Sequence, residues 1–179
     1  MQNTKTDTEI LEEFANFDKD KFSLTLAPFS SSIMSTWAFF VHKFSLTLAT
    51  TSTDNEPLTN YSPFVKQNGN YYVCVSSQLP HYKNMQATKK AHVLIIEDEK
   101  GASHIYARKR LYFSVACEIQ DDTEKIFTLF DERYGDALSF LRDMKDFKVI
   151  KLIPSEKSLV LGFGACIFIT WGTKPVPEV

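Results

Sequence analysis

The chain has 179 residues, a formal net charge of −2, 44% hydrophobic residues and 23% charged residues, which are ordinary values for one globular domain. This charge balance provides no global basic field, so nucleic acid is excluded as an expected partner. No apolar run reaches the roughly 18 residues that span a bilayer, which excludes a transmembrane helix. The fifteen Phe and seven Tyr residues are more informative, because aromatic side chains favour strands and offer flat surfaces to ring-shaped ligands.

The three cysteines indicate the compartment in which the protein works. Cys74, Cys117 and Cys166 lie far apart within apolar stretches, and their spacing is not that of metal ligands. An odd number of cysteines in apolar strands predicts buried free thiols in a reducing environment. The polar start of the chain, MQNTKTDTEILEEF, has none of the features of a signal peptide. We therefore expect a cytoplasmic protein.

The first 35 residues are predicted to form an N-terminal helix and extension. Apolar residues recur on one face of a helix over residues 7–16. The stretch KFSLTLA occurs at 21–27 and again at 43–49, and its alternation of apolar and hydroxyl residues is typical of a half-buried strand. We expect the second copy to be a strand of the main domain, and the structure of the first copy stays open.

The main domain is expected over residues 36–170, followed by an extended tail over 171–179. It begins with strands that are joined by turn residues, including the hairpin signal Asn68-Gly69. Pro63, inside the second of these strands, predicts an edge, a bulge or a break in pairing. The predicted strands, in order, are KFSLTLATT, LTNYSPFVK, YYVCVSS, AHVLIIE, ARKRLYFSVACEI, FKVIKLIP and KSLVLGFGACIFIT.

Helices are few in this pattern. A short basic helix is predicted at 80–90, and two helices, DDTEKIFTLFDERYG and DALSFLRDMK, are predicted before the last two strands. The Gly162–Gly164 segment inside the last strand predicts a bulge or a close backbone approach. About seven strands with hairpin connections favour a mainly β protein, either a barrel or a sandwich. A small barrel with aromatic strands often dimerises to cover its exposed apolar faces, so we expect a homodimer.

The first candidate site is the stretch SSQLPHYKN, which directly follows a strand. Its hydroxyl, amide, imidazole and ammonium groups, together with backbone N–H groups at a helix start, suit a phosphate or a carboxylate. The alternative is an ordinary strand-to-helix connection with charges facing solvent. The candidate residues are Ser76, Ser77, His81, Lys83 and Asn84.

The second candidate site is Arg108-Lys109-Arg110 at the start of a strand. Alternation along a strand sends Arg108 and Arg110 to one face and Lys109 to the other. Two guanidinium groups on one face can hold a phosphate or a propionate by paired hydrogen bonds. The alternative is ion pairing with the acidic residues at 97–99.

The third candidate site is the Pro-interrupted strand NYSPF. A break in pairing frees backbone N–H and C=O groups that a heteroaromatic ring can use, and the alternative is a simple edge strand. The candidate residues are Asn60, Tyr61, Ser62 and Pro63.

The histidines determine what metal chemistry the chain can support. His42, His81, His92 and His104 do not have the spacing of a zinc site. A single histidine can nevertheless serve as the axial ligand of a haem. His92, between Ala91 and Val93, is interpreted as a strand residue, and His104, in a polar loop, is the freer candidate. Because the chain carries no GxSxG, P-loop or GxGxxG motif, we expect a cofactor to supply any catalysis.

Several stretches taken together resemble a known family. PLTNYSPFVKQNGNYYVCVSS, PHYKNM, VLIIEDE, IYARKRL and LVLGFGACIF occur in one order between about residues 36 and 168. They resemble the HugZ-type haem-utilisation proteins of the flavin-binding split-barrel superfamily, which includes the pyridoxamine 5′-phosphate oxidases. The resemblance implies a six-stranded antiparallel split barrel of Greek-key topology, working as a homodimer with its cofactor in a cleft between subunits.

The same resemblance implies a cofactor, haem or FMN, and roles for the candidate residues. The NYSPF strand would face the ring system, the 76–83 side chains would lie where the oxidases bind flavin phosphate, and Arg108 and Arg110 would lie near the anionic arms. The oxidases' Ser-Arg-Lys phosphate motif is replaced here by His-Tyr-Lys at 81–83. Haem-degrading members supply an axial histidine from a C-terminal segment, whereas no histidine follows Gly164 here. Haem would therefore need another ligand, either His104 or one from the partner subunit, or it would bind at a weaker site.

Three functions follow as hypotheses. The first is haem binding, with oxygen-dependent haem degradation as a further activity, in the utilisation of haem iron. The second is an FMN-dependent oxidoreductase of the oxidase type. The third is a non-catalytic binding domain on the same fold.

Overall fold

The computed structural model describes residues 43–162 and 165–170, with side chains up to residue 155. The predicted helix at 7–16, the first KFSLTLA copy and the tail at 171–179 lie outside the described residues, and the division into three segments stays a prediction. Within the described part there are seven strands and two α-helices. They are β1 (Ser45–Thr51), β2 (Pro57–Gln67), β3 (Asn70–Ser76), α1 (Pro80–Thr88), β4 (Lys90–Ile96), β5 (Arg110–Gln120), α2 (Glu124–Tyr134), β6 (Phe147–Gly162) and β7 (Ala165–Thr170).

The strands form a closed antiparallel barrel. Their hydrogen-bonded order is β3-β2-β1-β4-β5-β6-β7, and an additional pairing of β3 with β6 closes a ring of six strands. After β3 the chain returns to pair β4 with β1, which is the Greek-key arrangement. The predicted mainly β, six-stranded barrel is therefore confirmed.

The hairpin between β2 and β3 forms where the sequence predicts it. Asn68 and Gly69 have φ values of 50° and 77°, and the flanking residues Gln67 and Asn70 pair directly. Two central residues with positive φ are the requirement of a two-residue turn whose twist matches the strands. Asn and Gly tolerate that backbone conformation better than other residues, so local chemistry determines this connection.

Alternation along the strands builds the interior of the barrel. Leu46 and Leu48 of β1 point inward, and α1 contributes Tyr82 and Met85 to the same core, so this helix closes one end of the barrel. Pro80 begins the helix, and Lys89, with φ of 57°, ends it. The other inward residues are Phe64, Tyr71, Val73, Val75, Ala91, Val93, Ile95, Leu111, Phe113, Val115, Cys117, Ile150 and Leu152.

A second, smaller core lies outside the barrel, beneath α2. Ile126 and Phe130, one helical turn apart, are buried against outward residues of β2, β3 and β6. These strand residues are Val65, Tyr72, Cys74 and Val149. One outer face of the barrel is thus covered by α2 and the segment that follows it.

The second predicted helix, over residues 136–145, is wrong. The segment forms two short 3-10 turns, Gly135–Ala137 and Ser139–Arg142. Only Leu141 is buried in this segment, whereas Phe140 and Met144 are 51% and 40% exposed. Phe140 and Met144 are not buried against the described elements, so packing does not favour a helix here.

The predicted boundary between the last two strands also differs from the observed one. The strand β6 continues through Pro154, because the pairing of β5 with β6 shifts register between Phe113 and Val115. Such an irregularity accommodates a proline without ending the strand. The strand ends instead at Gly162, next to a register shift against β7 that falls between Val160 and Gly162. Residues 163 and 164 lie outside the described part.

Candidate functional site

Two sequence-predicted residues from different stretches, Asn60 and His81, are in contact. The Asn60 amide nitrogen donates to His81 Nδ1 at 3.0 Å, and the Asn84 amide donates to Thr50 Oγ1 at 3.2 Å. His81 is only 4% exposed, and its burial lowers its pKa. These contacts tie α1 to β1 and β2, and they hold His81 as a neutral imidazole.

The two serines of the first candidate site turn toward an acidic residue. Ser76 Oγ donates to an Asp146 carboxylate oxygen at 2.6 Å, and the Ser77 backbone N–H donates to the Asp146 carbonyl at 2.7 Å. Lys83 is exposed on α1. The Ser76 proton is therefore already shared with a carboxylate, while Lys83 stays accessible to an anion.

The two arginines of the second candidate site have different environments. Arg108 Nε donates to the Glu97 carbonyl at 2.7 Å, and its Nη1 forms an ion pair with Glu99 at 3.1 Å. Because Arg108 precedes β5, strand alternation does not govern its direction. Arg110 begins β5 and donates from Nη1 to the Arg108 carbonyl at 3.3 Å. The ion-pairing alternative thus holds for Arg108.

The end of α1, the helix that carries part of the first candidate site, lies far along β5 from the second candidate site. Arg110 is at the start of β5, whereas the Cys117 N–H, near its end, donates to the carbonyl of Lys89, which follows α1. Seven residues of strand cover roughly 20 Å. The C-terminal end of α1 and Arg110 therefore lie near opposite ends of β5.

A third region, the outer surface of β2, β1, β4 and β5, carries two parallel rows of side chains. Residues that pair directly across antiparallel strands share a face, so the register defines these rows. We call the surface formed by both rows the open face. The first row is Tyr61, Thr47, Leu94 and Tyr112, and the second row is Thr59, Ala49, His92 and Ser114.

The side chains of the open face are accessible to solvent to different degrees. Tyr61 is 72% exposed, Leu94 and Tyr112 are half-buried, and Ala49 and Ser114 are small and exposed. Among the described elements, α2 covers a different outer surface and α1 packs into the end of the barrel. The tyrosine rings and the neighbouring small residues leave room for a planar ligand.

His92 lies at the middle of the open face, where sequence reasoning assigned only a strand position. Its Nδ1 is 3.3 Å from Ser114 Oγ, and its ring centroid is 6.0 Å from that of Tyr112. The signal was present in the alternation, because an exposed histidine between buried Ala91 and Val93 must point outward. His104, the other candidate, is exposed in the β4–β5 connection, and its Nδ1 accepts from the Tyr106 N–H at 3.2 Å.

Pro63 lies where β2 changes its pairing partner. β2 pairs with β3 only from Phe64 onward, while Pro57–Pro63 pairs with β1. This agrees with the predicted change in pairing at the proline. Ser62 is buried, and its hydroxyl donates to the Pro63 carbonyl at 2.9 Å, so Tyr61 is the residue of this stretch that reaches the surface.

Two further observations limit the chemistry of the described part. Neither of its α-helices has the length and apolar character that crossing a membrane requires. Over residues 43–162 and 165–170, no three His, Cys, Asp or Glu side chains come together in a group that could hold a metal ion.

Comparison with known proteins identifies the family. Residues 37–160 match the pyridoxamine 5′-phosphate oxidase family model, and the chain belongs to this family. It is 33% identical over 124 residues to Heme oxygenase HutZ of Vibrio cholerae serotype O1, a match that covers 67% of this chain and 70% of that protein. The chain is accordingly a HugZ-type member of the split-barrel superfamily.

Solved structures agree with this assignment. The crystal structure of HutZ, the heme storage protein from Vibrio cholerae, is 26% identical and superimposes with a TM-score of 0.63 over 77% of this chain and 93% of that chain. Campylobacter jejuni ChuZ is also 26% identical, with a TM-score of 0.73 over 81% of this chain and 61% of that chain. The barrel expected from the resemblance is therefore shared with both proteins.

Proposed function

We propose that this protein binds haem and works in the utilisation of haem iron. The observation that carries the proposal is the 33% identity with Heme oxygenase HutZ. The open face supports it, because a haem needs a flat apolar contact and cations for its propionates. Tyr61, Leu94 and Tyr112 provide the apolar contact, and Arg110, two residues before Tyr112 on the same side of β5, provides a cation.

Titration of the purified protein with ferric hemin tests this proposal. We expect the Soret band of hemin to shift and to reach its end point near one haem per chain. A continuous rise without an end point would indicate non-specific adsorption. An unchanged Soret band at stoichiometric hemin would overturn the proposal.

Oxygen-dependent haem degradation is the finer form of the same proposal. A bound haem would supply the redox chemistry, and the residues of this chain would bind and orient it. The name of the Vibrio relative supports this activity. Adding ascorbate in air to the hemin complex should bleach the Soret band and release iron, and a chelator of ferrous iron would measure that release. A stable Soret band under these conditions restricts the protein to haem binding.

An FMN-dependent oxidoreductase is the second candidate, and family membership favours it. Exposed Lys83 and half-buried Arg110 are the cations that the candidate sites offer to a flavin phosphate. Titration of FMN with the protein should quench flavin fluorescence if this function holds. Absence of quenching, together with hemin binding, would leave haem as the cofactor, and absence of both would favour a non-catalytic binding domain.

We infer that the protein forms a homodimer and works in the cytoplasm. Exposed aromatic side chains outside the two rows of the open face support the dimer, namely Phe44, Tyr106 and Phe140. The buried free thiols Cys74 and Cys117 support a reducing compartment. Light scattering should give twice the chain mass, and a monomer at micromolar concentration would contradict the dimer.

A further inference from the structure

We propose that His92 binds the haem iron through its Nε2 atom, on the open face. This inference rests on the proposed haem binding and names the residue that holds the metal. It differs from the expectation of a ligand at His104, and three observations on the described residues carry it.

The first observation is the hydrogen bond that orients the imidazole. His92 Nδ1 lies 3.3 Å from Ser114 Oγ, and the two residues pair directly across β4 and β5. A serine hydroxyl can accept a proton from Nδ1, which leaves Nε2 unprotonated. Histidines that bind metals commonly donate their other ring N–H in this way, so Ser114 acts as a positioning residue.

The same criterion separates His92 from the other two described histidines. His104 Nδ1 accepts from the Tyr106 backbone N–H, and His81 Nδ1 accepts from the Asn60 amide. A neutral imidazole that accepts at Nδ1 carries its proton on Nε2, so its remaining nitrogen cannot bind iron without a change of tautomer. His81 is in addition only 4% exposed and cannot reach a ligand on the surface.

The second observation is the space around His92. Its neighbours in the same row, Ala49 and Ser114, are small and exposed, so no bulky side chain of these two strands stands beside the imidazole. Leu94 and Tyr112, in the next row, are half-buried and larger. A planar macrocycle centred on His92 would therefore lie over small residues and contact an aromatic and an aliphatic side chain at its edge.

The third observation is the charge at the margins of the open face. Lys90 is exposed two residues before His92, on the same side of β4 and about 7 Å away along the strand. Arg110 lies four residues before Ser114 on the same side of β5, about 13 Å away. These cations lie on opposite sides of His92, whereas both propionates leave one edge of a haem, so either Lys90 or Arg110 receives them in a given orientation of the ring.

The test compares four proteins as ferric hemin complexes: the wild type, His92→Gly, His104→Ala and His42→Ala. We expect the wild type, His104→Ala and His42→Ala to share the absorption and electron paramagnetic resonance spectra of a histidine-ligated haem. His92→Gly should lose those spectra, and added imidazole should restore them by binding in the vacated space. Circular dichroism of the apoproteins checks that an exposed substitution leaves the fold intact.

Ser114→Ala provides a second, milder readout. Removing the hydroxyl should accelerate hemin transfer to apomyoglobin by about tenfold, while the spectrum of a histidine-ligated haem persists. Thr128→Ala, which removes an exposed hydroxyl from α2 on a different outer surface, is the control and should transfer hemin at the wild-type rate.

Failure of this inference and failure of the proposed function give different spectroscopic results. If His92→Gly keeps the wild-type spectrum and another variant loses it, the ligand is that other histidine and haem binding stands. If all variants keep the spectrum, His92 is not the ligand. If the wild type gives no Soret shift with hemin, the proposed function and this inference both fall.

Discussion

The hydroxyl group of Tyr134, the last residue of α2, lies 2.7 Å from the carbonyl oxygen of Phe64 and 2.9 Å from its backbone nitrogen. One side chain thus contacts both polar groups of a β2 residue 70 positions away. Phe64 is also where β2 begins to pair with β3. Tyr134 therefore ties α2 to the point at which the barrel changes its strand pairing.

Replacing Tyr134 with Phe should destabilise the protein. The substitution keeps the ring and removes the hydroxyl, so the half-buried polar groups of Phe64 lose their partner, at a cost of about 1–3 kcal/mol. Urea unfolding of the wild type and the Tyr134→Phe variant measures the difference in unfolding free energy when both curves have the same m-value. The exposed Tyr106, replaced by Phe, serves as the control, and equal stability of all three proteins would contradict the prediction.

Buried His81 should make stability depend on pH. Burial lowers the pKa of His81 below 6.5, so below that pH the unfolded chain takes up a proton that the folded chain resists. Stability is then full above about pH 6.5 and falls as the pH decreases, by at most about 1.4 kcal/mol per pH unit for one group. His81→Gln keeps an amide for hydrogen bonding and should show a flatter fall between pH 7 and 5 in urea unfolding. If stability falls equally with decreasing pH in the wild type and in His81→Gln, the pH dependence comes from other titratable groups.

The two buried thiols should be unreactive in the folded protein. Burial raises the pKa of Cys74 to about 12, with a smaller contribution from Asp146, and burial also raises the pKa of Cys117 to about 12. Because the thiolate is the reactive form, little of it exists at pH 8. A Cys166→Ser variant treated with Ellman's reagent should react slowly when folded and release two equivalents in guanidinium chloride. Rapid reaction of the folded protein would show that one of these sites opens readily.

Arg108 and Arg110 should respond differently to substitution. Arg108 holds the Glu97 carbonyl and pairs with Glu99, so Arg108→Gln should lower the unfolding midpoint and leave hemin affinity nearly unchanged. Arg110→Gln should leave the midpoint unchanged and weaken hemin binding, by about tenfold if one charge-assisted hydrogen bond is lost. Parallel unfolding and hemin titrations of both variants measure the contrast. If Arg108→Gln weakens hemin binding and Arg110→Gln does not, Arg108 makes the contact with the anion.

Agreement between sequence and structure is closest where a feature depends on neighbouring residues. Asn68-Gly69 adopts the positive φ values that the hairpin needs, and the alternation in β1 separates buried Leu46 and Leu48 from outward residues. Disagreement begins where distant contacts compete with local preference. Residues 136–145 have a helical pattern, but the barrel offers a buried place only to Leu141, and the segment forms 3-10 turns instead.

The candidate site residues also show which features depend on neighbouring residues and which depend on distant contacts. Strand alternation could have shown that His92 points outward, yet its pairing with Ser114 depends on the register between β4 and β5. Nothing in the local sequence distinguishes Arg108, held by Glu97 and Glu99, from Arg110, because both lie in one basic triplet. The contact of Ser76 with Asp146 spans 70 residues and was equally inaccessible to sequence reasoning.

By itself, the sequence determined the mainly β class, the main hairpin and, through its motifs, the family. These features depend on short-range backbone preferences and on the alternation of side chains along a strand, and both are determined by residues close together in the sequence. Only the tertiary structure decided which polar side chains meet, because closure of the barrel brings together strands that are distant in the chain. That closure leaves His92 on an open face with its Nδ1 beside a serine, and it turns Arg108 toward Glu97 and Glu99.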